Sequence, residues 1–461
     1  MIQKVISFGT TVVLARYLGP PVFGLFVFAL VVVGSFELFK SMGIDAALIK
    51  KQGDFKKAAN TAFIIIPSLG VILYAILNLL APLIARQLNN NDLANIVRVL
   101  GIIFVISCFA KVPATILEKN MQFKKISLAD FCGSICFSFA ALIFVFLKLG
   151  IWSLVFAYII KIFIYALMIC IFAKWKPTFE FDKTIALELF YFGKFVFLTL
   201  IVWFLKMNLD NFLVGKLLGV TKLGLYAIAF NFANLSADYF GAYVFRATFP
   251  AFSKLQNNLF DLRSAFLKTL KYVGIVAFPF GVGVFFLGGD FLRFAYGEKW
   301  IGALNVLKIL AWAGIFNTLS IPNSSIFLAL GKPMISFWFC IIQVIIFFVF
   351  IAPVAKVLGI NGVGVIVASA SFIAMIFSFF WVMRLLSLSL KQVYLNLKVS
   401  FICSSLMAIG IIFYKVTIPV FGNIAAKYNF VLLFCFATVV YGFSLLKLER
   451  PFFEEIRDLI F

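Results

Sequence analysis

Two lysines of this chain sit where a bilayer tolerates them poorly. Lys161 and Lys194 fall near the centres of two long apolar runs, 151–173 and 185–207. A lysine at the centre of a membrane helix costs about 2.5–3.5 kcal/mol on insertion scales, so it faces a bundle interior or a water-filled cavity. There its ammonium can hold an anionic group through charge-assisted hydrogen bonds; pairing with a neighbouring helix is the alternative. The other intramembrane charges have simpler explanations. Glu37 and Lys40, three residues apart, can neutralise each other. Lys206 and Asp210 stand in the i,i+4 relation beside Asn208 and Asn211. Lys111 lies near one end of its run, within reach of the interface by snorkelling, and Lys308 lies in the outer third of its own.

Two polar stripes accompany these charges. Asn231, Asn234, Asp238 and Gly241 recur at spacings of three, four and three, which places them on one helical face. Gln3, Ser7 and Thr10 or Thr11 repeat the pattern on the first run. A polar stripe facing lipid is costly, so both faces are expected to point inward, lining a cavity or bonding neighbouring helices.

The chemistry open to the chain is narrow. It has no histidine, which removes imidazole-based triads and imidazole metal sites. Its cysteines, Cys108, Cys132, Cys136, Cys170, Cys340, Cys403 and Cys435, all lie in apolar runs without a Cys-x-x-Cys pair and read as packing residues. No glycine-rich loop precedes a Lys-Ser/Thr pair, so ATP hydrolysis within the chain is not expected. No sizeable loop carries convergent acids. We expect no enzyme, no metal and no cofactor.

The elements that position these residues are membrane helices. The composition is 64% hydrophobic and only 13% charged, where a soluble domain has about 25% charged residues. Fourteen apolar runs, from 2–17 and 22–46 to 397–418 and 427–446, are long enough to cross a hydrocarbon core of about 30 Å. Their unbroken hydrophobicity fits helices and not the short alternating segments of a barrel. The first run is short and is followed by Gly19-Pro20-Pro21 instead of a small-residue cleavage site, so it reads as a retained helix. The loops around 253–268 and 385–398 have an amphipathic pattern that suits helices lying on the membrane surface. Lys and Arg favour the loops on the side of the termini by roughly two to one, which places both termini in the cytoplasm. The net charge of +22 is dispersed over these loops, facing anionic headgroups. Nucleic-acid binding is the wrong reading of that charge.

The chain also repeats itself. Arg16-Tyr-Leu-Gly-Pro-Pro-Val-Phe-Gly-Leu-Phe26 aligns without a gap on Lys216-Leu-Leu-Gly-Val-Thr-Lys-Leu-Gly-Leu-Tyr226. Downstream, Asp54–Ala58 returns as Asp261–Ala265, Leu117–Met121 as Leu330–Met334, and Leu149-Gly-Ile151 as Leu358-Gly-Ile360. The order is kept at an offset of about 200 residues, the mark of a duplicated bundle, which in membrane proteins points to a transporter. We therefore expect an all-α polytopic membrane protein. Its parts would be a lobe over 1–183, a second six-helix lobe over 184–384, and two further helices with a cytoplasmic tail over 385–461.

The stretch Leu14-Ala-Arg-Tyr-Leu-Gly-Pro-Pro-Val-Phe-Gly-Leu-Phe26 resembles the signature of the polysaccharide-transporter branch of the oligosaccharide flippases. That branch belongs to one superfamily with the lipid II flippases and the multidrug extruders. Ser41–Ile49 and Leu209–Gly219 support the resemblance, which runs through the whole repeat. It departs at the N-terminus, where relatives carry more residues ahead of the Arg16 motif. The resemblance implies alternating-access movement of an undecaprenyl-diphosphate-linked oligosaccharide across a bacterial cytoplasmic membrane. Lys161 and Lys194 are then candidates for the diphosphate, with Arg16 or Lys206 at the outer gate. Gln3, Ser7, Glu37, Lys40, Asn231, Asn234 and Asp238 would line the sugar's path. Polysaccharide polymerase or export components are the implied partners. Coupling would use Na+ or H+ at Glu37 or Asp238, or the membrane potential alone. Two other functions remain: an ion-coupled multidrug exporter of the same fold, for which a clearly acidic cavity would speak, and a non-transporting scaffold of a polysaccharide assembly complex.

Overall fold

The computed structural model describes residues 2–87, 90, 92–421 and 426–449; the expected C-terminal tail lies outside the described residues. Among them every regular element is a helix. Among the described residues eleven helices are long and apolar enough to cross a membrane, and three features divide them further. The helix α14 (Pro333–Leu386) has 54 residues; unbroken it would extend roughly 81 Å, far beyond one bilayer. It breaks at Gly359, with φ 59° and ψ −145°. The helix α1 (Ile2–Glu37) breaks at Gly19, with φ 73° and ψ 170°. The short apolar helix α9 (Val220–Ala233) continues through a π-turn over Ser236–Gly241 into α10 (Ala242–Leu255). So divided, the helices are consistent with the fourteen expected passes.

The breaks confirm the repeat at the level of the backbone. Gly219, the counterpart of Gly19, has φ 83° and ψ 168°, the same conformation, which only glycine adopts readily. Gly150 and its counterpart Gly359 match as well, at φ 58° and 59°. Pro20 and Pro21 then restart α1, since a proline at the first helical positions sacrifices no hydrogen bond.

Contacts gather the chain into two compact units, 1–224 and 225–461. In the first, Ile44 and Leu48 of α2 (Ile44–Lys50) pack on Ala58, Ala62 and Ile66 of α3 (Phe55–Gln87). Cys108 and Val112 of α5 (Ile102–Lys119) join them, as do Ile185 and Leu189 of α8 (Lys183–Leu218). The start of α8 is thereby anchored in this unit. Asp182 caps it by accepting hydrogen bonds from the Thr184 hydroxyl and the Ile185 and Thr184 amides, which hold its carboxyl below the ordinary value. Alanines at 110, 114, 129 and 166 let α5, α6 (Phe123–Phe146) and α7 (Trp152–Ala173) approach closely.

The repeated motifs also meet within this unit. A Cβ added at Gly24 would stand 1.7 Å from the Val220 carbonyl oxygen, and one at Gly224 2.0 Å from the Pro20 carbonyl oxygen. Gly24 and Gly224 are counterparts, and so are Pro20 and Val220, so the contact is reciprocal. Backbone lies on backbone, which no other residue type permits.

The second unit is built on α11 (Leu259–Phe291), which packs on α12 (Leu304–Leu319) and α15 (Leu390–Phe421). Lys271–Glu449 and Lys415–Asp290 ion pairs, each 2.6 Å, tie the C-terminal helices to α11. Asn258 caps α11 by accepting from the Phe260 and Asp261 amides. Asn258→Ala is expected to lower stability by about 1 kcal/mol, measurable as a small drop in thermal unfolding temperature in detergent. Large apolar side chains such as Leu79 and Val357 are 77% and 81% exposed. Such residues suit a surface solvated by lipid, not water.

Candidate functional site

The sequence candidates resolve into distinct places. The first is a polar seam in the first unit. Gln3 donates through Nε2 to Asp130 Oδ2 (2.7 Å) and Ser134 Oγ (2.9 Å) on α6. Between those two positions on α6, Gly133 makes room for α7: a Cβ there would lie 2.9 Å from the Lys161 carbonyl oxygen and 3.6 Å from its Cγ. Lys161 is half-buried and forms no hydrogen bond or ion pair with the described residues. Tyr165, one turn further on α7, touches the same glycine. Asp130 and Ser134 were absent from the sequence candidates; their i,i+4 spacing on an apolar run was the signal that could have found them.

The second place is the end of α1. Lys40 is buried, pairs with Glu37 at 2.6 Å and donates to Ser107 Oγ at 3.1 Å. The two charges do neutralise each other. Lys111, one turn beyond Ser107 on α5, does not snorkel as its position in the run suggested. It pairs with Asp45 at 2.6 Å, in α2. Burial pushes the Asp45 carboxyl up, but the Lys111 charge, with hydrogen bonds from Lys111, Ser41 and the Ala46 amide, outweighs it and holds the group below its ordinary value.

Lys194 is exposed on α8, its ammonium 4.1 Å from the centre of the Tyr191 ring, a cation–π arrangement. Lys206 is half-buried and forms no ion pair with Asp210, which is itself buried. Twelve residues of helix, roughly 18 Å, separate Lys194 from Lys206, so they cannot act at one phosphate group. Arg16 is exposed, and Ser7 is half-buried with its carbonyl accepting from the Thr11 hydroxyl.

In the second unit the expected stripe is divided. Asn234 is buried, donating to the Phe230 carbonyl and accepting from Asn317 Nδ2 at 2.9 Å. Asn231 and Asp238 are exposed. The π-turn at Ser236–Gly241 widens the helix just there and rotates Asp238 out of the 3.6-residue register on which the stripe was counted. Ser236, the first residue of the π-turn, shares a hydrogen bond with Thr318 at 2.9 Å, so the turn is bonded to α12. Among the described residues no three acidic, cysteine or histidine side chains gather to hold a metal.

The family model of polysaccharide biosynthesis proteins matches residues 13–305, more than half of the chain and including both copies of the repeated motif. The chain belongs to this family. It is 29% identical over 307 residues to the teichuronic acid biosynthesis protein TuaB of Bacillus subtilis, covering 66% of this chain and 63% of that one. The matched region is thus somewhat under two thirds of TuaB's length. Over 399 residues it is 26% identical to the lipopolysaccharide biosynthesis protein WzxC of Escherichia coli, covering 85% and 80% of the two chains. Among solved structures, the lipid II flippase MurJ in its inward-closed conformation superposes with a TM-score of 0.79 at 16% identity, over 98% of both chains. An inward-facing multidrug transporter of the MATE family gives 0.65 at 16% identity, over 83% and 94%. The chain therefore shares the fold of these two transporters, as the resemblance of the Leu14–Phe26 stretch implied. The protein is a multi-pass membrane protein of polysaccharide biosynthesis.

Proposed function

We propose that the protein moves an undecaprenyl-diphosphate-linked oligosaccharide across the bacterial cytoplasmic membrane, for assembly of a surface polysaccharide. The reading rests on one observation above the rest: a half-buried Lys161 without a carboxylate partner among the described residues, in an apolar helix beside the Gln3–Asp130–Ser134 seam. An ammonium with no counter-ion among the described residues, in that setting, suits a diphosphate that arrives and leaves. The seam supplies donors and acceptors suited to sugar hydroxyls. Names of relatives, which are proteins of teichuronic acid and lipopolysaccharide biosynthesis, support the substrate class. The protein acts as a transporter without a catalytic step, and both termini face the cytoplasm, as the cation asymmetry of the loops supports. Polymerase or export components would receive the flipped product. Where an ion drives the step, Glu37 and Asp238 are the candidate carboxylates, and Glu37 is the one paired with Lys40.

Reconstitution in liposomes with a diphosphate-linked oligosaccharide lipid tests this. Lys161→Ala is expected to slow transbilayer movement roughly tenfold or more, about the loss of one charge-assisted hydrogen bond. Lys194→Ala, at an exposed position, is expected to slow it less. Movement untouched by Lys161→Ala would remove the cationic site and leave the flippase. No movement of the lipid, alongside ion-driven efflux of a cationic dye, would make the protein a drug exporter.

A further inference from the structure

A crevice of about 570 Å³ opens in the first unit between the second half of α1, α3 and α8. Its lining includes none of the residues assigned above to the diphosphate or the sugar. The walls are aromatic and aliphatic: Phe28 and Val32 from α1, Leu80 and Leu83 from α3, Phe204 and Phe212 from α8. Two polar side chains among them turn back on their own helices. Ser35 donates to the Val32 carbonyl (2.7 Å) and Asn208 to the Phe204 carbonyl (3.1 Å). Flanking contacts fix the walls. A Cβ at Gly43 would lie 2.4 Å from the Gly193 carbonyl oxygen, and one at Gly215 2.4 Å from the Phe28 ring. Phe28 also stacks on Phe212, with ring centres 5.8 Å apart.

One cation marks the lining. Lys216, in the last turn of α8, is exposed and forms no hydrogen bond or ion pair with the described residues. No acidic residue belongs to the lining. A trough of ligand size with apolar walls and a single unpaired ammonium is complementary to a long apolar chain ending in an anion. A terminal phosphate or diphosphate carries more charge than the diester of a bulk phospholipid, so it gains more from that ammonium. Four phenylalanines, Phe28, Phe36, Phe204 and Phe212, offer rigid surface to the branched, stiff units of an isoprenoid.

We propose that this crevice seats part of the isoprenoid chain of a polyprenyl-phosphate lipid, with the lipid's phosphate at Lys216 in a state of the cycle distinct from the one in which Lys161 holds the diphosphate. The proposal rests on the flippase reading and assigns the substrate's tail a place on the protein. The tail is then held by α1, α3 and α8 and does not merely trail in the bilayer while the head moves.

The test uses the full chain in nanodiscs of phosphatidylethanolamine and phosphatidylglycerol, labelled with undecaprenyl phosphate bearing a diazirine on its chain. Cross-links are expected to concentrate on the α1, α3 and α8 segments that line the crevice. Unlabelled undecaprenyl phosphate should displace them, and added phosphatidylglycerol should not. Leu83→Trp, at a position already 54% exposed and so safe for folding, should cut crevice labelling several-fold. Lys216→Gln should weaken half-maximal labelling about tenfold, the equivalent of one charge-assisted hydrogen bond. Labelling spread evenly over lipid-facing helices, or displaced equally by phosphatidylglycerol, would mean ordinary annular lipid and overturn the proposal. Saturable labelling elsewhere, with transport intact, would overturn it and leave the flippase standing. Absence of saturable labelling anywhere would overturn the proposal, and only its coincidence with absent flipping in liposomes would sink the flippase reading along with it.

Discussion

Gly24→Ala is expected to abolish transport while leaving a protein that still inserts and purifies. The added methyl would stand 1.7 Å from the Val220 carbonyl oxygen, with the Gly224 amide nitrogen at 2.7 Å. Ordinary van der Waals contact is about 3.5–4.0 Å between carbons, so the two segments must part by an ångström or more. The obstructing atoms are backbone, which has no rotamer to retreat into. Overpacking of this kind costs typically about 1–3 kcal/mol, enough to remove the contact without unfolding a helical bundle. Gly224→Ala, the reciprocal position at 2.0 Å from Pro20, should give the same result. The double variant should be no worse than either single one, because the first substitution already breaks the contact both share. Gly283→Ala and Gly442→Ala serve as controls, since nothing lies within 4 Å of a Cβ at either. The readouts are flipping in liposomes and the thermal midpoint in detergent. Wild-type flipping by Gly24→Ala would show that the contact has no part in the transporting cycle.

That contact also shows what the sequence could and could not convey. The repeat was legible because glycines mark the points where the backbone leaves the helical region. Gly19 and Gly219, and Gly150 and Gly359, were aligned from residue type and prove to share their φ values. The helices were legible because lipid imposes one composition on every pass. Hydropathy, however, carries no information about which face of a helix meets which neighbour. Lys194 and Lys161 therefore looked alike in sequence, yet one is exposed beside Tyr191 and the other is half-buried on Gly133. The stripe through Asn231, Asn234 and Asp238 assumed a regular 3.6-residue turn, and the π-turn at Ser236–Gly241 is invisible to that count. Lys216 was noticed only as part of a motif; its place in an apolar crevice depends on α1 and α3, remote in sequence. What the sequence carried well was periodic or local, and what it hid were contacts between distant segments.

The Lys111–Asp45 pair is a hidden contact of this kind, and its removal has the second large expected effect. The two residues are far apart in sequence, and only Lys111 stood out there, as a charge near the end of an apolar run. Side-chain exposures of 31% for Lys111 and 21% for Asp45 place the pair between a surface bridge and a buried one. An exposed bridge contributes at most about 1 kcal/mol, and breaking a fully buried one costs about 3–5 kcal/mol. Lys111→Met should therefore cost about 2 kcal/mol, because it strands a carboxylate whose Oδ1 already lacks a hydrogen bond. Removing both charges, as Asp45→Leu with Lys111→Met, should recover most of that loss. The pH dependence gives a separate check. Asp45 is held below its ordinary value in the folded protein, so its contribution is present above the normal carboxylate range and fades as pH falls through the lowered value. The gap in thermal midpoint between wild type and Lys111→Met should thus be full at neutral pH and close below about pH 4. A gap that persists undiminished in acid would mean that packing of the lysine stem, and not the ion pair, supplies the stability.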